Sequence, residues 1–447
     1  MGLGHGRRNC LIAQALAGSP SRPAILLILG VPEASAAALP PGVDCLTLPA
    51  LRKDGDGQYH ARRLSLSLGD LIGLRSQTIQ AALDAFGPDV LIVDNVPRGA
   101  AGELDWALRS LRAGTGGRRG RTRCVLGLRD VLDDPAAVRR EWARAANEDT
   151  IRRYYDAVWV YGDPAVYDPV REYDFSAEVA AKVRFTGYFD QCARLAGAQA
   201  RSADPLAGLA LAPGRLVLCL VGGGQDGAGL AEAFARAALP PETNAVILTG
   251  PHMPPEVKRR LHDRAAGAHR LRVLEFVSEP AGLLRRADRV VAMGGYNTVG
   301  EILSFEKRAL IVPRVSPRRE QLIRAERLRD LGLLDVLHPD QVSPRALTEW
   351  LARESGAPAA GSAGGAAPPS GAGAPTPTLA PPSGTGALTP TFAPPRVRER
   401  VDLNGLAHLP HLLEEVLAVP DAAEDAADAR YPAWRPLRDK DLQYAGS

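Results

Sequence analysis

Ala287-Asp288-Arg289-Val290-Val291-Ala292-Met293-Gly294-Gly295-Tyr296-Asn297-Thr298-Val299-Gly300-Glu301-Ile302 is the stretch that decides the fold. A short apolar run leads into paired glycines, and helical spacing begins directly after them. That is a strand, a tight turn and a helix N-terminus, the unit from which parallel sheets are built. Working outward, Leu216 to Val221 enters Gly222-Gly223-Gly224-Gln225-Asp226-Gly227 in the same way. Ala245 to Thr249, Arg272 to Phe276 and Ala309 to Pro313 extend the series at helix-length spacing. An earlier series comprises Ala24 to Leu29, Asp89 to Asp94, Cys124 to Leu128, Ala157 to Tyr161 and Val183 to Phe185. The reading is α/β, with two Rossmann-like, doubly wound parallel-sheet domains facing a cleft.

A chain of 447 residues exceeds one ordinary core. The N-terminal domain is expected over 1–195 and the C-terminal one over 205–354, joined by a strandless connection near 190–213. From Ser355 to Pro395 the chain is nearly all Gly, Ala, Pro, Ser and Thr, and a disordered linker is predicted there. Residues 396–447 regain helical periodicity through Leu403, Leu406, Leu409, Leu412, Leu413, Val416 and Leu417 before an extended tail, and this helix is expected to pack back on the body.

The net charge of +3 gives no reason to expect a nucleic-acid partner. The run Arg118, Arg119, Arg121, Arg123 lies among glycines and reads as a solvated loop. Five scattered cysteines form neither a zinc ligand set nor a disulfide framework. No segment approaches bilayer length, so a cytoplasmic protein is expected. The chain opens on Met1-Gly2-Leu3-Gly4-His5-Gly6-Arg7-Arg8, a glycine-rich turn that would normally follow a strand. The expectation is that the first strand of that sheet is absent from this sequence.

In open parallel sheets ligands bind beyond the carboxyl ends of the strands, where glycine admits close backbone approach and the next helix N-terminus favours negative charge. Three such turns occur, at Gly2 to Gly6, at Gly222, Gly223 and Gly224, and at Gly294 and Gly295. None carries the Lys-Ser/Thr ending of a P-loop, and the first lacks dinucleotide spacing. What remains is a diphosphate held by backbone donors. Glu301, one helical turn beyond Asn297, is placed to face the cleft and accept the hydroxyls of a ribose, or else to satisfy its own helix dipole.

These residues resemble glycosyltransferase family 28. The similarity runs over roughly Leu216 to Leu337, including Ala309-Leu310-Ile311-Val312-Pro313, Glu320-Gln321 and Ala325. Gly2-Leu3-Gly4-His5 with Arg7-Arg8-Asn9 is similar to the N-domain loop of a bacterial branch of predicted glycosyltransferases. The resemblance implies a GT-B fold. It implies that Glu301 binds ribose, that Asn297 and Thr298 lie beside the phosphates, that Gly222, Gly223, Gly224 and Gln225 line the diphosphate, that Val277 offers backbone to the base, and that Glu320 and Gln321 meet the donor sugar. Glu320 departs from the family's paired glutamines, and Tyr296 from its small residue. The family's acceptor-binding features are not recognisable in the N-terminal half.

Inverting sugar transfer needs a base for the acceptor hydroxyl and dipoles or cations for the departing diphosphate. His5 is the candidate base, with Asp94 or alternatively Asp130 to orient it; Arg314, Arg318 and Arg319 are candidate charged help, and His252 reads as a loop residue. With no Asp-x-Asp motif, neither a metal nor a cofactor is expected beyond the nucleotide-diphosphate sugar, a UDP-sugar for preference, and an unknown hydroxyl acceptor. A peripheral membrane contact stays open. The alternatives are a non-catalytic nucleotide-sugar-binding protein and a nucleotide-sugar 2-epimerase of the same fold.

Overall fold

The computed structural model describes residues 3–30, 39–53, 59–113, 121–192, 206, 208–277, 280–353 and 396–419. The expected linker, the tail, Arg118 with Arg119 and most of the 190–213 connection lie outside the described residues.

The N-terminal half runs α1 (Leu3–Ala17), β1 (Ile25–Leu29), β2 (Val43–Thr47), β3 (Leu51–Lys53), β4 (Tyr59–Ala61), α2 (Leu68–Phe86), β5 (Val90–Asp94), α3 (Asp105–Arg112), β6 (Arg123–Arg129), α4 (Pro135–Ala145), α5 (Asn147–Tyr154), β7 (Ala157–Tyr161), α6 (Pro169–Glu172), α7 (Ala177–Ala180) and β8 (Val183–Phe185). β5, β6, β7 and β8 form one parallel sheet in that order, and β1 pairs in parallel with β2 as a separate ribbon. Residues of β6 and β7 are buried on both faces, which is why they read as continuous apolar runs rather than alternating ones. The boundaries of α2 follow local chemistry. The Ser67 hydroxyl accepts from the Asp70 amide at 3.1 Å, and Gly87 takes the left-handed conformation that ends the helix.

The C-terminal half runs β9 (Arg215–Leu220), α8 (Ala228–Arg236), β10 (Thr243–Leu248), α9 (Pro255–Ala266), β11 (Leu271–Leu274), α10 (Ala281–Arg286), β12 (Arg289–Ala292), α11 (Tyr296–Ser304), β13 (Arg308–Ile311), α12 (Glu320–Asp330), β14 (Asp335–Val336) and α13 (Pro344–Ala352). The sheet is wholly parallel in the order β11-β10-β9-β12-β13-β14. That order reverses direction between β9 and β12. The turns after these two strands therefore sit side by side at the switch point where such sheets form a crevice.

All ten strands expected from the sequence are present within two residues of the expected starts, and the architecture is two Rossmann-like α/β halves. Four strands were not foreseen: β2, the β3–β4 hairpin and β14. They are short, and β2 alternates half-buried with exposed positions around Asp44 and Thr47, so no apolar run marks it.

A last helix, α14 (Gly405–Ala418), returns to the N-terminal half. Its Leu409, Leu412, Leu413 and Val416 pack with Ile12 and Leu16 of α1 and with Trp159 and Tyr161 of β7. The segment before it joins the other core through Val397, Val401 and Leu403. The Tyr188 amide donates to the Asp402 carbonyl at 2.8 Å and the Gly405 amide to the Tyr188 carbonyl at 3.0 Å. A side chain at 405 would place its Cβ 2.6 Å from the Gly187 carbonyl oxygen, so glycine is what permits this crossing. Among the described residues, no helix is long and apolar enough to cross a membrane.

Candidate functional site

Helix α1 starts beside the carboxyl end of β5, which brings His5 to Asp94 across 89 positions of sequence. His5 Nδ1 lies 2.7 Å from Asp94 Oδ2. Three residues on, and so on the same face of the helix, Arg8 donates to Asp94 Oδ1 and Oδ2 at 2.6 and 2.8 Å. Burial alone would raise the Asp94 pKa, but the Arg8 charge and the His5 hydrogen bond outweigh it and hold the carboxyl well below the usual range. Nδ1 faces both Asp94 Oδ2 and, at 2.9 Å, Arg8 Nη2; because Arg8 donates to the ionised carboxylate at shorter distances, we assign the proton to Nδ1, which leaves Nε2 as the lone pair. The His5 pKa is itself lowered, first by desolvation and then by Arg8 and Arg129, against the raising influence of Asp94. The ring keeps 44% of its side-chain surface open. A neutral, oriented, accessible imidazole is the form a general base requires.

Arg8 is held between two rings, with its guanidinium carbon 5.5 Å from the Tyr161 centroid and 5.4 Å from that of Tyr296. The Tyr296 hydroxyl donates to the Tyr161 carbonyl at 2.8 Å, its ring stacks on Tyr188 at 6.1 Å, and Arg324 lies 5.5 Å from its centroid. Tyr296, the residue at odds with the family pattern, is thus where the two halves meet. Beside it Arg324 and Asp130 pair with no exposure on either side chain, and the Tyr188 hydroxyl donates to Asp130 at 2.5 Å.

In the C-terminal half the β9 and β10 turns are packed backbone to backbone. Gly222, Gly224 and Gly250 have φ of 60°, 90° and 75°. A Cβ on Gly224 would stand 2.1 Å from the Thr249 carbonyl oxygen, and one on Gly250 would stand 2.3 Å from that of Gly222. Gly222, Gly223 and Gln225 are exposed at the lip, and the His252 amide donates to the Gly223 carbonyl at 2.9 Å. Gly294 is buried against Ile311 and Gln321, whereas a Cβ on Gly295 would meet nothing within 4 Å. Gly227 caps α8 and Gly295 caps α11, and neither helix has a side-chain cap on its amides. Two helix N-termini without side-chain caps at a switch point suit an anion.

The remaining expected residues are placed as follows. Glu301 is 3% exposed and Arg7 of α1 donates to its Oε1 at 3.3 Å, so it does not face an open cleft as the spacing had suggested. It is covered because the first turns of α1 and α11 touch: Asn297 Nδ2 donates to the Gly4 carbonyl at 3.1 Å, and a Cβ on Gly4 would stand 2.9 Å from that amide nitrogen. Thr298 is half-buried in the first turn of α11, and Val277 is half-buried just past β11 beside the 62% exposed Phe276. Glu320 receives Arg314 Nη2 at 2.6 Å, and Gln321 Oε1 receives the Arg314 amide at 3.1 Å. Asp130, the alternative partner for His5, belongs to Arg324 instead. Arg318 and Arg319, considered for leaving-group help, are tied to the N-terminal half through Asp133, Asp134 and Glu141. Arg314 also reaches Asp226 at 3.5 Å.

Sequence reading missed Arg8, Arg129 and Arg324. The three-residue spacing of Arg8 from His5 was a usable signal. The other two sit at a strand end and in a helix that look ordinary until the halves are brought together. Among the described residues, no group of three or more His, Cys, Asp or Glu side chains could hold a metal ion.

Comparison with known proteins bears on the family and the fold. Residues 217–357 match the glycosyltransferase family 28 C-terminal domain. Over 162 residues the chain is 29% identical to a UDP-N-acetylglucosamine--N-acetylmuramyl-(pentapeptide) pyrophosphoryl-undecaprenol N-acetylglucosamine transferase of Burkholderia ambifaria, covering 35% of this chain and 44% of that protein. The chain thus spans less than half the length of this relative. Among solved structures, the calicheamicin glycosyltransferase CalG4 aligns with a TM-score of 0.52 at 16% identity, over 93% of this chain and 97% of that one. The UDP-GlcNAc 2-epimerase of Neisseria meningitidis bound to UDP-GlcNAc aligns with a TM-score of 0.52 at 13% identity, over 78% and 87%. At these identities the two structures speak for the fold, which is GT-B.

Proposed function

We propose that this chain transfers a sugar from a nucleoside-diphosphate sugar, UDP-linked for preference, to a hydroxyl acceptor, with inversion and without a metal. The observation that carries the reading is an oriented His5 in the first turn of α1, which the Asn297–Gly4 contact sets against the N-terminus of α11, next to the β9/β12 switch point.

In this reading the diphosphate lies across Gly222, Gly223, Gly224 and Gln225 and the start of α11 at Gly294, Gly295, Asn297 and Thr298. Val277 offers backbone to the base, and Glu301 takes the ribose hydroxyls in exchange for Arg7. Glu320 and Gln321 meet the sugar. His5 Nε2 removes the acceptor proton as the oxygen attacks the anomeric carbon, while Asp94 stabilises the imidazolium that forms. The bond to the diphosphate breaks on the opposite face, and its growing charge falls on the amides at the helix ends, which need no reorganisation to receive it.

The deciding experiment is a titration of the purified chain with UDP, GDP and TDP and their sugars, followed by heat and by release of free nucleotide. Micromolar binding weakened at least tenfold by Glu301→Ala, with slow donor hydrolysis lost in His5→Ala, supports the transferase. A folded chain that binds none of these nucleotides removes the donor site.

A further inference from the structure

Arg129 is a cation left without its anion at the junction of the two halves. It ends β6, and strand alternation puts it on the face of Gly127, across which the Tyr161 ring lies. Among the described residues its side chain makes one polar contact, a long one from Nε to Asn95 Oδ1 at 3.4 Å, and forms no ion pair. The charges around it come from both sides: His5, Arg8 and Asp94 from one half, Arg324 and Glu320 from the other. Each nearby carboxylate is already engaged. Asp94 binds Arg8 and His5, Asp130 binds Arg324 and Tyr188, and Glu320 Oε1 binds Arg314.

A second unmet group lies within electrostatic reach. Glu320 is 5% exposed and its Oε2 is buried with no hydrogen-bond partner. Arg129 is half-buried and Glu320 buried, so a cation with no counter-charge and an acceptor with no donor are each disfavoured there. Both are relieved together by a ligand carrying an oxyanion beside a hydroxyl.

We propose that Arg129 is an oxyanion-binding residue of the cleft that receives a phosphate of a bound substrate, with Glu320 Oε2 accepting a neighbouring hydroxyl. The inference rests on the nucleoside-diphosphate sugar reading of the cleft. Desolvation, followed by repulsion from Arg8 and Arg324, pushes the guanidinium down to about 10, the direction a phosphate would reverse. A planar fork suits a phosphate better than an ammonium does, so lysine is an incomplete substitute. The phosphate has two sources, the donor's diphosphate or a phosphate on the acceptor.

Uridine, UDP and inorganic pyrophosphate are titrated into the full chain and into Arg129→Gln and Arg129→Lys, with folding checked by circular dichroism and melting temperature. Uridine is expected to bind all three alike, while an anionic probe binds Arg129→Gln at least tenfold more weakly and Arg129→Lys in between. Arg129→Lys carries the test if Arg129→Gln does not fold. Loss on UDP assigns the phosphate to the donor. Loss confined to pyrophosphate added to the UDP-saturated protein assigns it to the acceptor. Equal affinities of wild type and variants for every anionic probe, or no binding of any such probe by the wild type, overturn the proposal. If uridine and UDP fail to bind but pyrophosphate is held in an Arg129-dependent way, the anion site stands and the nucleotide reading falls.

Discussion

Arg324 and Asp130, from opposite halves of the chain, are joined by guanidinium hydrogen bonds of 2.7, 2.8 and 3.0 Å with neither side chain exposed. Arg324 also donates to the Gly294 carbonyl at 3.2 Å, so the pair links the His5 side of the cleft to the glycine turn that opens α11.

Removing one member strands a buried charge. Asp130→Asn is expected to cost about 3–5 kcal/mol and Asp130→Leu with Arg324→Leu considerably less, because the double change leaves no ion behind. Urea unfolding of the single and double variants checks this. A double variant as unstable as the single one would show that the pair contributes more than mutual neutralisation.

The lowered pKa of His5 fixes the sign of the pH dependence. The base form accumulates as pH rises through a value below the ordinary ~6.5, so kcat/KM for transfer should rise on that limb and be flat at neutrality. Asp94→Asn should lower the neutral-pH rate by about 10²- to 10⁴-fold, since the amide can present either a donor or an acceptor to Nδ1 and no longer fixes the tautomer. A pH profile whose rise is centred above 7 would contradict the assignment of His5.

Arg7 and Glu301 should act in opposite directions on nucleotide affinity. Glu301→Ala is expected to weaken UDP at least tenfold, about 1.4 kcal/mol. Arg7→Ala removes the competitor for Oε1 and should tighten UDP by up to about fivefold, the size of a partly exposed ion pair. Calorimetry on the two variants decides it; weakening by both would mean that the nucleotide uses Arg7 directly.

Gly224→Ala tests the loop geometry. With φ at +90° and a Cβ 2.1 Å from the Thr249 oxygen, the variant should lose about 1–3 kcal/mol and bind UDP more weakly. Gly229→Ala, in α8 with nothing within 4 Å of its Cβ, should instead be neutral or more stable by about 0.5–1 kcal/mol. Melting temperatures of the pair separate a local backbone requirement from a general sensitivity to added methyls.

The α/β alternation was legible because strands buried on both faces need a continuous apolar interior, and β6, β7, β9 and β12 have one, with arginines only at their ends. Glycines at the β9 turn were legible for an equally local reason: Gly222 and Gly224 occupy a backbone region open to them and nearly closed to others, as does Gly250, which was not foreseen. β2 and the β3–β4 hairpin escaped because half-exposed edge ribbons have no such requirement on composition.

Which side chains meet across the halves was settled by tertiary structure alone. The sequence favoured Asp94 as the partner for His5 and left Asp130 as an alternative. The choice follows from where α1 lies over β5 and α12 over the end of β6, distances that no local pattern encodes. The same placement covers Glu301 with Arg7, turns the unusual Tyr296 into a plate between Arg8 and Arg324, and leaves Arg129 unpaired. Strand identity is written in short-range hydrophobic periodicity, whereas charge pairing depends on contacts between residues hundreds of positions apart.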